Sequence, residues 1–214
     1  MSTSLVSIKG AISFGWSEFK KDAWFFVSVT AGLLIFSIVV DSLTSGIEGA
    51  GSIIGMILSL VASAVLTIAF VRLALSTVAG QRVGWNGLWA PQFFLPVLGA
   101  IVIQSVIVLI GLVLLIIPGI IASVLLGYTQ FAVIDKKMMP VEAVRESYRL
   151  TRPHLLQLFL FTLALAVLNI VGLLALGVGL LVTIPVSLIA MASVYRKLIT
   201  AQESVLVINA PSTP

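Results

Sequence analysis

The sequence has no cysteine among its 214 residues, which excludes disulfide frameworks, thiolate nucleophiles and cysteine-containing zinc sites. It is nearly as poor in histidine, with one, and in charge, with 9% Asp, Glu, Lys and Arg. A soluble domain clothes its surface with roughly 25% charged residues, so a water-soluble fold cannot be built from this composition. Long polar stretches and Ser/Gly/Pro-rich linkers are also missing, which argues for one domain. Ahead of Ala23 there is no unbroken apolar core with a small-residue cleavage site, because Lys9, Glu18, Lys20 and Lys21 interrupt the region. It does not read as a signal peptide, and the first span is expected to stay in the mature protein.

What the chain has instead is apolar length: 60% of it is hydrophobic and its mean hydropathy is +1.22. A helix needs about 20 mainly apolar residues to cross a hydrocarbon core, because every backbone N–H and C=O must find its partner internally there. The uncharged stretches predict six spans, at about 23–41, 51–71, 93–114, 118–135, 155–173 and 178–196. The expected fold class is therefore an all-α integral membrane protein, with a membrane domain over residues 1–200 and a disordered tail over 201–214. A turn is expected just before Pro118-Gly119 and another at Gly172, Gly177 and Gly179. Pro185 falls within the sixth helix, which it should kink.

The twelve basic residues fall into four groups: Lys9, Lys20 and Lys21; Arg72 and Arg82; Lys136, Lys137, Arg145, Arg149 and Arg152; Arg196 and Lys197. Six spans put every group on one side, while the opposite loops, Asp41 to Ala50 among them, hold only Asp41 and Glu48. Lys and Arg near span ends are retained on the cytoplasmic side. The expectation is a cytoplasmic-membrane protein with both termini in the cytoplasm.

Two segments are amphipathic. Leu5, Ile8, Ile12, Trp16 and Phe19 recur at helical spacing, and Lys20 and Lys21 flank that stripe. Between Pro140 and Thr151, Val141, Val144, Tyr148 and Thr151 share one face, with Glu142, Arg145, Glu146, Arg149 and Arg152 on the other. Both suit helices in the headgroup layer, with Lys20, Lys21, Arg145, Arg149 and Arg152 as contacts to anionic lipid. An aromatic stands five residues after an alanine in Ala11–Trp16 and again in Ala143–Tyr148, and the loop from Val83 to Gln92 is a degenerate third copy. This suggests three helical hairpins, each an amphipathic stretch followed by two spans.

Ile117-Pro118-Gly119, followed by Tyr128, Asp135, Pro140, Glu142, Ala143, Ser147, Leu150 and Thr151, resembles the multi-span membrane domain attached to some glycerophosphodiester phosphodiesterases and its stand-alone bacterial relatives. The resemblance covers about residues 100–200. In those enzymes hydrolysis belongs to a separate soluble barrel with metal-binding carboxylates and histidines. Eight acidic residues and one histidine, all near span ends or in loops, cannot supply that site here, so the resemblance implies the membrane part without the chemistry.

A membrane enzyme would gather carboxylates, histidines or a nucleophile at one depth, whereas His154 has only arginines near it. The expectation is a non-catalytic protein without cofactor or metal, whose partners are membrane lipids with anionic headgroups and not nucleic acid; the pattern assigns no oligomeric state. An ion-coupled transporter would hold ionisable groups at mid-membrane, and Arg72, Asp41 and Asp135 all fall near span ends. Gln104, Gln157 and Asn169 lie in or near spans and keep open the alternative of a carrier or channel for a neutral or amphiphilic solute. Such side chains more often join helices at about 1 kcal/mol each. Gly55, Ser59, Ala62, Ser63 and Gly172 are the expected close-packing positions.

Overall fold

The computed structural model describes residues 7–46, 53–81, 84–175 and 177–208. The described residues form helices and no strand. Six helical segments are long and apolar enough to cross a membrane, and the chain is an all-α multi-pass membrane protein.

Helix α1 (Ile8–Lys21) starts at Ser7, whose Oγ accepts the Gly10 N–H at 3.2 Å. It ends on Lys20 and Lys21, whose charge suits the negative end of the helix dipole. Two spans follow, α2 (Ala23–Gly46) and α3 (Ile53–Val78). Loop residues Glu48 and Arg82 lie outside the described residues, as does Leu5 of the first amphipathic stripe. The short α4 (Trp85–Leu88) and a 3-10 turn (Pro91–Phe93) lead into α5 (Phe94–Leu114).

Extended backbone at Leu115 reverses the chain into α6 (Ile116–Leu125), just ahead of Pro118 as expected. The fourth span is not one helix, however. It breaks at 126–128 and resumes as α7 (Thr129–Lys136), which stops at Lys137 in the left-handed region, φ 54°. Then come α8 (Pro140–Thr151), a 3-10 turn (Arg152–His154), α9 (Leu155–Leu174) and α10 (Leu180–Ile208).

Helix α10 is the central one. Within the protein 61% of its membrane-length stretch is buried, against 11% for α5, and it packs on α1, α2, α3, α8 and α9. Its contact residues are small, with Ser187, Ala190, Ala192 and Ser193 buried. Lipid tails are as apolar as leucine, so spans associate through close packing instead of hydrophobic exclusion. Ala62, Ala64, Ala69 and Ala74 do the same on α3, whereas Ser59 is exposed and Gly55 only half-buried. At the last turn Gly172 and Gly179 meet backbone to backbone: a Cβ on Gly179 would stand 2.5 Å from the Gly172 carbonyl oxygen. Gly177 turns the chain there with φ +74°, and Pro185 lies inside α10.

Helix α1 packs on protein through a face that overlaps part of the expected stripe, with Ile8 and Ile12 half-buried against the core. Ala11, Gly15 and Phe19 are buried, and Gly15 lies so close to α10 that a Cβ would stand 2.5 Å from the Val186 carbonyl oxygen. Trp16 is 46% exposed. The partner of this helix is therefore protein on one side, with its large aromatic turned outward. At the other end of the chain α10 continues beyond the expected limit at 196, so residues 201–208 of the expected tail are helical and 209–214 lie outside the described residues.

Candidate headgroup-binding surface and adjoining groove

Helix α8 is fixed at both ends and along one face. Pro140 supplies its first turn and the Met139 N–H donates to Glu142 Oε2 at 3.3 Å. Gly99 on α5 makes room for it, since a Cβ there would lie 2.9 Å from Pro140 Cγ. The buried face is Ala143, Glu146, Ser147, Leu150 and Thr151, so it takes Thr151 from the expected apolar face and Glu146 from the expected charged one.

The reason is the broken fourth span. Ending a helix inside a membrane leaves backbone groups that lipid cannot satisfy. Ser147 Oγ donates to the Leu125 carbonyl at 2.8 Å and accepts the Tyr128 N–H at 3.2 Å. Thr151 Oγ1 donates to the same carbonyl at 2.8 Å. Two small hydroxyl residues thus finish α6, and they must face inward to do so.

Glu146 was expected on a solvated charged face, yet its side chain is 5% exposed. It accepts from Lys136 Nζ at 2.7 Å and from Arg149 Nη2 at 2.6 Å. With its amide oxygen turned toward Arg149, Gln202 accepts from Nε at 2.9 Å. Nearby, Arg196 Nη2 donates to Asp135 Oδ1 at 2.8 Å. Arg149 is therefore engaged within the protein.

Arg145 and Arg152 are not. Both are exposed, and among the described residues neither has a carboxylate partner. At spacing i, i+3 and i+7 Arg145, Tyr148 and Arg152 make one outward stripe, and the Arg152 guanidinium lies 5.7 Å from the Tyr148 ring centroid. On α1, Lys20 lies 5.8 Å from the Trp16 ring centroid and Lys21 pairs with Glu18 at 2.6 Å. These lysines stand on a helix that packs on α10, α2 and α9, and the arginines at one that packs on α5, α6, α7 and α10.

Two concavities accompany them. A cleft of about 370 Å³ lies beside the α1–α2 corner, with Lys21, Asp22, Thr77 and Gln81 around an aromatic floor of Phe25 and Phe26. A groove of about 320 Å³ runs between α6 and α9, and every side chain lining it is apolar: Ile117, Ile120 and Ile121 face Leu155, Leu156 and Phe159, with Val124 beneath. Sequence reasoning missed this groove, whose only signal was the adjacency of apolar α9 to the basic end of α8.

The intramembrane polar residues largely serve helix contacts. Gln130 Nε2 donates to Gln104 Oε1 at 3.1 Å, and Asn169 Nδ2 to Ser187 Oγ at 3.0 Å. Gln130 Oε1, Gln157 Oε1 and Asn169 Oδ1 are buried without a hydrogen-bond partner in the structure. Among the described residues no three His, Asp or Glu side chains gather closely enough to hold a metal ion. No family model, curated protein or solved structure matches this chain.

Proposed function

We infer that this is a non-catalytic protein of the cytoplasmic membrane, with its termini and basic end in the cytoplasm, that engages anionic lipid headgroups chiefly through Arg145 on α8, Arg152 just after it and Lys20 on α1, with the ion-paired Arg149 and Lys21 at the edges of the two surfaces. The observation that carries the reading is the pair of exposed, carboxylate-free guanidiniums on a helix whose neighbouring outward residues are Met139, Val141 and Tyr148. Uncompensated cations beside exposed apolar side chains belong where hydrocarbon meets phosphate, and each is worth about 1 kcal/mol against an anionic leaflet.

The segment from Ile117 to Thr151 that resembles the membrane domain of glycerophosphodiester phosphodiesterases supplies the first groove residue and the hydroxyl caps of α6. We infer a common membrane-part role on that basis. The test is the ratio of phosphatidylglycerol to phosphatidylcholine that the protein retains from mixed vesicles. Exchanging all five basic residues for glutamine is expected to erase the enrichment of the anionic lipid. Enrichment unchanged in that variant, with α-helical content preserved, would refute the reading.

A further inference from the structure

We propose that the α6–α9 groove and the Arg145–Arg152 stripe form one discrete site for a single anionic diacyl phospholipid, an acyl chain lying in the groove and the phosphate on the guanidiniums. This rests on the headgroup reading above and narrows it from a basic surface to one stoichiometric position.

The residues make a continuous track. Arg152 stands one helical turn ahead of Leu155 and Leu156, which open the groove, and Phe159 continues it a turn further. The lining is wholly hydrocarbon, so the occupant offers no polar group along that length. At about 320 Å³ the groove is at the small end of ligand clefts, enough for a stretch of methylene chain. A guanidinium beside hydrocarbon favours an anionic partner and matches phosphate in planar geometry.

Lys136, Arg149 and Arg196 are matched by Glu146 and Asp135, and among the described residues Arg145 and Arg152 are the cations of this stripe without an ion pair, while Lys137 and Lys197, also exposed and unpaired there, lie off it. A phosphodiester supplies the stripe with a counter-ion. Tyr148 lies between the two arginines with its ring beneath Arg152 and holds that guanidinium outward.

Native mass spectrometry of the protein in dodecyl maltoside with added phosphatidylglycerol tests the site. One retained phosphatidylglycerol per chain is expected. Filling the groove with Ile121→Trp, or at its rim with Ile117→Trp, should lower the bound fraction at least fivefold, as should Arg145→Gln with Arg152→Gln. Thermal melting identifies whichever groove variant keeps the fold, and that one is scored. Loss on the arginine exchange with undiminished binding in the groove variant would overturn the single-site proposal and leave the headgroup reading standing. Undiminished binding in both would refute the site, and the five-residue exchange then decides the headgroup reading separately. Equal retention of phosphatidylcholine or oleate, or a lipid-free dimer that protects the groove, would overturn the assignment of its occupant.

Discussion

Arg196 on α10 donates to Asp135 at the end of α7 across 2.8 Å, joining segments 61 residues apart in sequence. The contact places two of the four basic groups at one end of the molecule. The cleft that Lys21 shares with Thr77, Gly80 and Gln81 brings the first group beside the end of α3, the helix that carries Arg72 of the second. Val78 packs against both halves of the buried core and ties the two together. Arg196 is 43% exposed, so the pair is a clamp of modest strength. A double-mutant cycle with Asp135→Asn and Arg196→Gln should give a coupling of about 1 kcal/mol by detergent-solubilised melting; additive effects would mean that the clamp contributes nothing.

Glu146 is the stronger ionic element because it is buried and serves two cations. Glu146→Gln keeps its shape and removes its charge. Stability should fall by roughly 1.5–3 kcal/mol, the range for hydrogen bonds to charged groups, and Lys136→Gln should recover part of the loss by removing the stranded ammonium. Melting temperatures of the two variants and their combination decide it.

Ser147→Ala strips the Tyr128 N–H of its acceptor while Thr151 still serves the Leu125 carbonyl. The cost should be roughly 1–3 kcal/mol, and adding Thr151→Val should exceed the sum of the single changes, because the carbonyl then has no hydroxyl left. Amide hydrogen exchange around 125–128 should rise in the double variant before the rest of the bundle responds.

Gly15→Ala places a methyl group against the Val186 backbone, which has no flexible end to give way. Overpacking of this kind costs roughly 1–3 kcal/mol, and here it should lift α1 from α10. Faster proteolysis between α1 and α2, with the remaining spans intact, is the expected signature.

The absence of cysteine allows an unambiguous threading experiment. Cysteines placed singly at Arg145 and Val178, both exposed, should react with an impermeant thiol reagent from opposite faces of the membrane, Arg145→Cys from the cytoplasmic one. Ser147 is unsuited to such labelling because it is buried. Labelling of both positions from one side would disprove the six-span threading.

The spans were legible because the bilayer imposes one crude requirement, about 20 apolar residues in a row, and 93–114 and 155–173 met it nearly to the residue. The faces of α1 and α8 were not. An amphipathic stripe shows where the apolar side chains lie, here Ile8, Ile12 and Trp16 or Val141 and Tyr148, but not which side of the helix protein will cover. Beside lipid large side chains such as Trp16, Val141 and Tyr148 can face outward, while small residues, Ala11, Gly15, Ala143 and Ser147, make the closest packing. Glu146 was misread for the same reason, since its partner Lys136 lies ten residues away in sequence and nothing local announces it. The break at 126–128 carried only Gly127 as a sign, and glycine is ordinary in membrane helices.

That break orders events during synthesis. When Lys136 leaves the ribosome, the fourth span carries at its break the Leu125 carbonyl and the Tyr128 amide, and the hydroxyls that satisfy them arrive eleven and fifteen residues later, at Ser147 and Thr151. A nascent chain truncated between those points holds an unfinished segment that hydrocarbon will not tolerate. The fourth segment should therefore linger at the insertion machinery until α8 emerges, and the two enter the bilayer as a unit.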